Sequence, residues 1–100
     1  MKVTFSSVFE SDFAGIVTHF AGTVSPELSL KFERQTIQAV ELIAKTPEIG
    51  RRRNELKPGN IRSFRVARFA SYLIFYQVRA NDVLFVRLLH GAMDFPALFS

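Results

Sequence analysis

The fold is decided by three segments near the end of the chain, Phe64-Arg65-Val66-Ala67-Arg68-Phe69, Tyr72-Leu73-Ile74-Phe75-Tyr76 and Val86-Arg87-Leu88-Leu89-His90-Gly91-Ala92-Met93-Asp94. Runs of this length that are rich in Val, Ile, Phe and Tyr are typical of β-strands. An arginine in or beside a buried strand is costly unless it faces a polar partner. The three segments therefore predict a small antiparallel sheet whose cations face a phosphate, an acidic protein surface or an internal carboxylate.

Length and composition predict a single folded domain over residues 1–100. A chain of 100 residues has the size of one domain. Hydrophobic residues make up 48% of it and include 11 Phe, which is ample for a core and argues against disorder. The absence of Cys excludes disulfides and thiolate zinc sites, and with only two His we expect no metal site and no cofactor.

The sequence carries no signal for a membrane or for secretion. No apolar run approaches the ~20 residues of a membrane span. Polar and apolar residues alternate after Lys2, which is unlike the apolar region of a signal peptide. We therefore expect a cytoplasmic protein without a membrane partner.

Charge is distributed unevenly along the chain. Residues 1–50 carry four Lys/Arg and six Asp/Glu, a net charge of −2, whereas residues 51–100 carry nine and three, a net charge of +6. A basic half of this kind points to an anionic partner, either nucleic acid or an acidic protein. The alternative is that the arginines only keep a Phe-rich chain soluble.

The first half of the chain predicts a short strand followed by a helical hairpin. Val3 and Phe5 alternate with polar neighbours, as in a strand. Ser6 or Ser7 can cap a first helix, and Ser25-Pro26-Glu27 starts a second one with Ser as N-cap and Pro at the first helical position. The connection is very short, which predicts antiparallel helices. Their apolar stripes, with spacings of three and four, are Phe9, Phe13, Ile16, Val17, Phe20 and Val24, and Leu28, Phe32, Ala39, Val40 and Ile43.

The second half predicts a loop and three strands. Pro47, Gly50 and Pro58-Gly59 punctuate a loop over residues 47–60. Strands are predicted at about 61–68, 71–79 and 83–90, with a tight turn at Asn81-Asp82. Residues 72–76 are apolar at every position, so we expect this strand to be covered on both faces. The order β-α-α-β-β-β describes an α+β domain, a helical hairpin packed on a small antiparallel sheet, with a short apolar C-terminal tail.

This order of elements and several short motifs resemble the RelE/ParE toxin superfamily of bacterial type II toxin–antitoxin modules. The motifs are Pro47-Glu48-Ile49-Gly50, Lys57-Pro58-Gly59-Asn60-Ile61-Arg62, Tyr72-Leu73-Ile74-Phe75-Tyr76 and Arg87-Leu88-Leu89-His90-Gly91-Ala92-Met93-Asp94. The tail is most similar to the ParE branch, in which His-Gly is followed closely by a basic residue and Asp. The resemblance implies a bacterial cytoplasmic toxin that inhibits DNA gyrase by binding. A cognate antitoxin, ParD-like or similar, would neutralise it in a hetero-oligomer.

The resemblance also implies a nuclease alternative, because RelE-type members cleave mRNA in the ribosomal A site. Such cleavage needs a base, an acid and cations around the phosphate. In RNA-cleaving relatives a Tyr or Arg commonly lies beside the equivalent of His90, whereas Gly91 and Ala92 follow it here. The acid–base set is therefore incomplete, and we favour binding over catalysis. A nuclease would have to use Arg65, Arg68, His90 and Glu55.

A second alternative is an inactive basic binding module. Met93 stands where the ParE branch usually has Arg or Lys. If that cation contributes to toxicity, its loss would leave a weak or inactive toxin.

The expected target-binding surface is cationic. Several of its residues also have a purely structural interpretation. Arg51–Arg53 could form a solvated loop, and Arg65 could form a salt bridge to Glu33 or Glu41. His90 could be a hydrogen-bonding residue at the end of a strand. Both interpretations remain open at the level of sequence. The surface comprises Arg51, Arg52, Arg53, Arg62, Arg65, Arg87, His90 and Met93.

Alternation along the first of the three late strands predicts where its arginines point. Arg62 and Arg68 should share a face with Phe64 and Val66, whereas Arg65 should point the other way. A regular strand therefore does not allow all three to clamp one phosphate.

The antitoxin that the resemblance implies often binds with a flexible segment. We expect this segment to be acidic and to lay apolar side chains across the helical hairpin and the exposed sheet, folding as it binds. The expected contact residues are Phe9, Phe13, Phe20, Leu28, Phe32, Phe95, Leu98 and Phe99.

Overall fold

A computed structural model describes residues 1–92 and Phe99, and it confirms the predicted order of elements. None of its helices has both the length and the apolar character needed to cross a bilayer, within the part of the chain that it describes. The helices and strands are β1 (Lys2–Phe5), α1 (Ser7–Thr23), α2 (Pro26–Lys45), a 3-10 turn (Pro47–Ile49), β2 (Arg51–Arg52), β3 (Ile61–Val66), β4 (Phe69–Val78) and β5 (Asp82–His90).

Both helices begin at the side-chain caps that the sequence predicts. The Phe9 N–H donates to Ser6 Oγ over 2.9 Å, and the Leu28 N–H donates to Ser25 Oγ over 3.1 Å. These bonds satisfy backbone donors that have no partner within the first helical turn. Ser29 Oγ then donates to the Val17 carbonyl oxygen over 2.8 Å, which fastens the two helices together as the predicted hairpin.

The sheet is mixed, with strand order β1-β5-β4-β3-β2. Strands β3, β4 and β5 pair antiparallel, as predicted, and β2 pairs antiparallel with β3. Strand β1 lies parallel to β5 at one edge, with Val3 opposite Val83. Thr4 Oγ1 donates to Asp82 Oδ2 over 2.6 Å, and the Ser6 N–H donates to the Phe85 carbonyl over 3.0 Å. Period-two alternation marks a strand but gives neither its neighbour nor its direction. The sequence pattern therefore could not predict that β1 and β5 pair in parallel.

Two local predictions for the second half are wrong. The loop over residues 47–60 contains the short strand β2, in which Arg51 lies opposite Ser63 of β3. Strand β3 ends at Val66, and Arg68 lies in the turn that follows, with φ of 68°. Arg68 therefore does not share a strand face with Arg62. A turn with a positive φ at a non-glycine residue leaves no clear mark in the alternation pattern.

The central strand β4 is covered on both faces, as expected, although the two faces of the sheet are covered to different extents. The helices cover one face and bury Phe20, Phe32 and Tyr76 against it. A smaller cluster covers part of the other face, where Leu56 from the loop and Phe99 pack near Phe75. The rings of Phe75 and Phe99 are 5.2 Å apart between centroids. We call this second surface, which faces away from the helices, the open face.

Candidate functional site

A groove with a cationic lining lies on the open face, at the corner where β2, β3 and β4 meet the end of β5. Its volume is about 550 Å³, and none of the described residues that line it is acidic. Arg51, Arg65 and His90 are exposed there. We call this surface the cationic groove; it is lined by Arg51, Arg53, Arg65, Ala70, Ser71, Leu73, His90, Gly91 and Ala92.

Two arginines of the cationic groove are oriented by the sheet itself. Arg65 Nη1 donates to the Ala70 carbonyl oxygen over 2.6 Å. Arg53 Nε donates to Ser63 Oγ over 2.8 Å, and Arg53 Nη1 lies 3.7 Å from Glu55 Oε2. Guanidinium groups held in this way keep part of their planar donor set directed outward, which suits carboxylate or phosphate oxygens.

The predicted salt bridge from Arg65 to a helix carboxylate, Glu33 or Glu41, is wrong. Arg65 lies opposite Leu73 in the β3–β4 ladder, and Leu73 belongs to the cluster on the open face. Alternation therefore turns the Arg65 side chain away from both helices.

His90 ends β5 between two grooves: it lines the cationic groove and also a groove on the helix side of the sheet, beside Tyr72 and His19. Its Nδ1 accepts a hydrogen bond from the Ala92 N–H over 3.1 Å, which places the proton of the neutral ring on Nε2. Its ring lies edge-on against Tyr72, with centroids 5.1 Å apart. Both the structural and the target-contacting interpretations of His90 are compatible with this geometry. None of the described carboxylates forms a hydrogen bond to the ring.

The four residues of the nuclease alternative do not assemble into one site. Arg65 and His90 both line the cationic groove. Arg68 lies in the turn between β3 and β4, and Glu55 faces Arg53 without lining the groove. The chemistry of 2′-OH cleavage needs a base and an acid on opposite sides of one phosphate. The described residues of the groove offer cations and a single imidazole.

Arg87 is paired with a carboxylate inside the fold and does not line the cationic groove. Its Nε and Nη2 donate to the two carboxylate oxygens of Asp12 over 2.9 and 3.1 Å, and Asp12 also accepts from the Leu88 N–H over 3.0 Å. The hydrogen bonds to Asp12 raise the pKa of Arg87. This pair fastens α1 to β5. Sequence reasoning missed Asp12, although a carboxylate next to Phe9 and Phe13 on a helix was a usable signal.

Arg62 also serves the fold, as part of a clamp on the turn before β2. Its Nη1 donates to the carbonyl oxygens of Gly50 and Glu48 over 2.8 and 3.0 Å. The buried Tyr76 hydroxyl donates to the Pro47 carbonyl over 2.7 Å and accepts from the Gly50 N–H over 2.8 Å. Burial raises the pKa of Tyr76. We call this set the turn clamp; it positions the arginines of β2.

Three of the expected antitoxin contacts lie in the core. Phe20 and Phe32 are 9% and 0% exposed between the helices and the sheet, and Phe9, although it borders a cleft, is only 4% exposed, so a partner gains little contact from them. These residues belong to the apolar stripes of the helices, and such stripes face the core of the domain. Phe13 and Leu28 are half-buried, and Phe99 packs on the open face. Phe95 and Leu98, with Met93, lie outside the described residues.

An accessible apolar surface lies beside β1, the edge strand opposite β2 in the sheet. A cleft of about 400 Å³ opens between β1, the first half of α1 and the second half of α2. We call it the apolar cleft; it is lined by Phe5, Phe9, Glu10, Phe13, Thr36, Ile37, Val40 and Glu41.

Comparison with known proteins agrees with the fold. The family model described as the ParE toxin of the type II toxin–antitoxin system parDE matches residues 3–95. Comparison with the curated proteins gave no match. Among solved structures, a chain of the chromosomal ParDE TA system from P. aeruginosa superposes with a TM-score of 0.75 and 17% identity, covering 90% of this chain and 95% of that chain. At this identity the structural likeness shows the fold alone.

Proposed function

As the chain belongs to the ParE toxin family of type II toxin–antitoxin modules, we propose that it inhibits DNA gyrase by binding and that a cognate antitoxin neutralises it. The observation that carries the proposal is the cationic groove, which presents Arg51 and Arg65 beside His90 on a sheet corner. The gyrase–DNA complex is an anionic target of the kind that such a groove fits.

The groove is suited to binding because its cations are fixed before a partner arrives. Arg65 is held by the Ala70 carbonyl, and β2 is held by the turn clamp. Prior fixation reduces the conformational entropy that is lost on association. Charge complementarity across such a surface raises the association rate and excludes partners of like charge.

The same geometry argues against catalysis as the main activity. A nuclease needs a second titratable group within hydrogen-bond reach of the reacting phosphate, opposite the base. Among the described residues that line the groove, His90 is the one imidazole, and none is a carboxylate that could serve as its acid or base partner. We therefore assign His90 and the arginines to contact with the target.

The antitoxin is proposed to be a small protein that forms a hetero-oligomer with this chain. An acidic stretch of such a partner would cover the cationic groove and thereby mask the toxin's target-binding surface. This follows from the exposure of Arg51 and Arg65 and from the lack of acidic lining among the described residues.

The test is pulse-labelling of DNA and protein synthesis in cells just after induction of this chain alone. We expect DNA synthesis to fall first while protein synthesis continues. The double variant Arg51→Ala/Arg65→Ala should lose this effect, because it removes two cations from the groove. Arg34→Ala is the matched control, since Arg34 is exposed on α2 and does not line the groove.

Two results would replace the proposal. Immediate loss of protein synthesis would indicate the ribosome-dependent mRNA endonuclease, and His90→Ala or Arg65→Ala should then abolish RNA cleavage with the fold intact. Unchanged growth and synthesis would indicate an inactive binding module. In that case Met93→Arg tests whether the missing cation accounts for the lost toxicity.

A further inference from the structure

We propose that the sheet edge formed by β2 enters the major groove of duplex DNA, with arginines from both faces of the edge contacting the two phosphate backbones. The inference names the part of the proposed target that this edge touches, and in that respect it rests on the proposed function. It also predicts an activity that the free chain shows without gyrase, which is direct binding to DNA.

The side chains of β2 point alternately to the two faces of the sheet. Arg51 lies opposite Ser63, on the open face with Arg65. Arg52 lies opposite Arg62, on the other face. Both Arg51 and Arg52 are exposed. The edge therefore presents accessible cations on each of its two faces, and the cationic groove accounts for only one of them.

The arginines on the second face form a pair of like charges. Arg52 and Arg62 are direct cross-strand neighbours, and like charges placed in this way repel each other. Arg52 forms no ion pair with any of the described carboxylates. Arg62 makes both of its clamp bonds through Nη1, so its Nε and Nη2 have no hydrogen-bond partner among the described residues. An oxyanion between the two guanidinium groups would offset their repulsion.

A polar pocket of about 220 Å³ lies at this pair of arginines. Asn54 and Asn60 line it together with Arg52 and Arg62. Side-chain amides and guanidinium groups are both common partners of phosphate oxygens. Glu48 is the one acidic residue among the described residues of the lining. The pocket therefore fits a phosphate, and we expect the Glu48 carboxylate to oppose its binding.

Cations on both faces of one edge favour duplex DNA over an acidic protein surface. The major groove is about 12 Å wide, admits a two-stranded β-ribbon and has a phosphate backbone on each side. Strands β2 and β3 form such a ribbon at the end of the sheet, since β2 is the edge strand. A protein surface packed on the open face would reach Arg51 and Arg65 but would leave Arg52 on the far side of the edge.

The experiment measures binding of the purified chain to a short mixed-sequence DNA duplex by fluorescence anisotropy over a range of salt concentrations. We expect the logarithm of the affinity to fall linearly with the logarithm of the salt concentration, because arginines that bind phosphates release counterions. Arg51→Ala and Arg52→Ala should each weaken binding about threefold to tenfold at low salt and reduce the slope by about 1. Arg34→Ala should change neither quantity, since Arg34 is exposed on α2 and lines neither the cationic groove nor the polar pocket.

Glu48→Gln gives a test that a folding defect cannot imitate, because it predicts tighter binding. The substitution removes the carboxylate from the polar pocket and keeps the shape of the side chain. We expect the affinity for the duplex to rise about threefold at low salt. Glu41→Gln makes the same change in net charge on α2, away from the polar pocket, and should leave the affinity nearly unchanged. Circular dichroism of each variant checks the fold.

Three results would overturn the inference. The first is a free chain that does not bind the duplex at low salt. The second is Arg52→Ala binding as tightly as the unmodified chain while Arg51→Ala is weakened, which would mean that the open face alone meets the DNA. The third is equal affinity for polyglutamate at the same concentration of charge, which would indicate an acidic protein surface.

Failure of this inference can be distinguished from failure of the proposed function. Each of the three results leaves gyrase inhibition standing, because pulse-labelling measures that inhibition in cells and does not depend on binding to free DNA. Duplex binding with the expected changes of slope, together with unchanged DNA synthesis after induction, would refute the proposed inhibition and support the DNA contact.

Discussion

The two grooves of this molecule differ in charge, in apolar character and in how the fold holds them. The cationic groove presents arginines on a sheet corner and depends on the turn clamp of Tyr76, Gly50 and Arg62. The apolar cleft lies between two helices with an acidic rim and depends on the fastening of α1 to β5 by Asp12 and Arg87. The two surfaces can therefore be damaged separately, because different interactions support them.

The largest expected effect is that of Gly50→Ala, which breaks the turn clamp. A Cβ on Gly50 would collide with the Tyr76 hydroxyl and the Ser63 carbonyl, and both lie in a packed region. We expect a loss of about 2–4 kcal/mol in the free energy of unfolding, from overpacking and lost buried hydrogen bonds. Urea denaturation measures it. Gly22→Ala is the matched control, because a Cβ there meets nothing within 4 Å.

Gly50→Ala also tests the independence of the two grooves. Where the variant remains folded, we expect target inhibition to fall, because the turn clamp positions the arginines of β2, while the pairing of Asp12 with Arg87 on the other side of the sheet is kept. Unchanged target inhibition in a folded variant would contradict the role of the turn clamp in the cationic groove.

The next effect is that of Asp12→Ala, which breaks the fastening of α1 to β5. It leaves the Arg87 guanidinium and the Leu88 N–H without their acceptor. We expect the free energy of unfolding to fall by about 2–3 kcal/mol. This is below the range for a fully buried pair, because the side chains of Asp12 and Arg87 are 14% and 20% exposed. Thermal unfolding measures it, and Ser11→Ala, exposed beside it on α1, is the control. A loss close to that of the control would show that the pair contributes little.

A smaller effect of opposite sign is expected for Thr36→Val. The substitution keeps the shape of the side chain and removes a buried hydroxyl that has no partner. We expect the free chain to gain about 1 kcal/mol of stability. Urea denaturation measures the change in the free energy of unfolding. Destabilisation of the free chain would mean that the hydroxyl already has a partner.

The smallest effect concerns how the stability of the fold depends on pH through Asp82, whose carboxylate binds Thr4 of the edge strand β1. Hydrogen bonds from Arg79 and Thr4 lower the pKa of Asp82 to about 2. Because the pKa is lowered in the folded state, the stabilisation is complete above the unfolded pKa of about 4 and is lost as pH falls toward 2. The Tm difference between the unmodified chain and Asp82→Asn should therefore shrink from pH 5 to pH 2. A difference that stays constant would contradict the assignment.

The element order was predictable because it depends on local chemistry. Ser6 and Ser25 cap their helices through bonds to residues three positions away, and Pro26 fits the first helical turn. The continuous apolar run before Tyr76 likewise identified a strand that is buried on both faces. These signals depend on residues only a few positions apart, so they can be recognised from the sequence alone.

The candidate site was predictable only in part. The basic half of the chain indicated a cationic surface, and Arg51, Arg65 and His90 do meet in one groove. Arg87 and Arg62 carry the same charge but are bound internally, to Asp12 and to two backbone carbonyls. Sequence patterns do not distinguish these cases, because Asp12 is 75 residues away from its partner Arg87.

The sequence by itself determined the caps, the apolar stripes, the strand periodicity and the excess of cations in the second half, since each is a property of neighbouring residues. Tertiary structure alone decided that β1 lies parallel to β5 and that Arg68 leaves the strand. It also decided which arginines remain exposed. The physical reason is that a charge or an apolar side chain becomes a surface feature only when no distant residue of the chain covers or neutralises it.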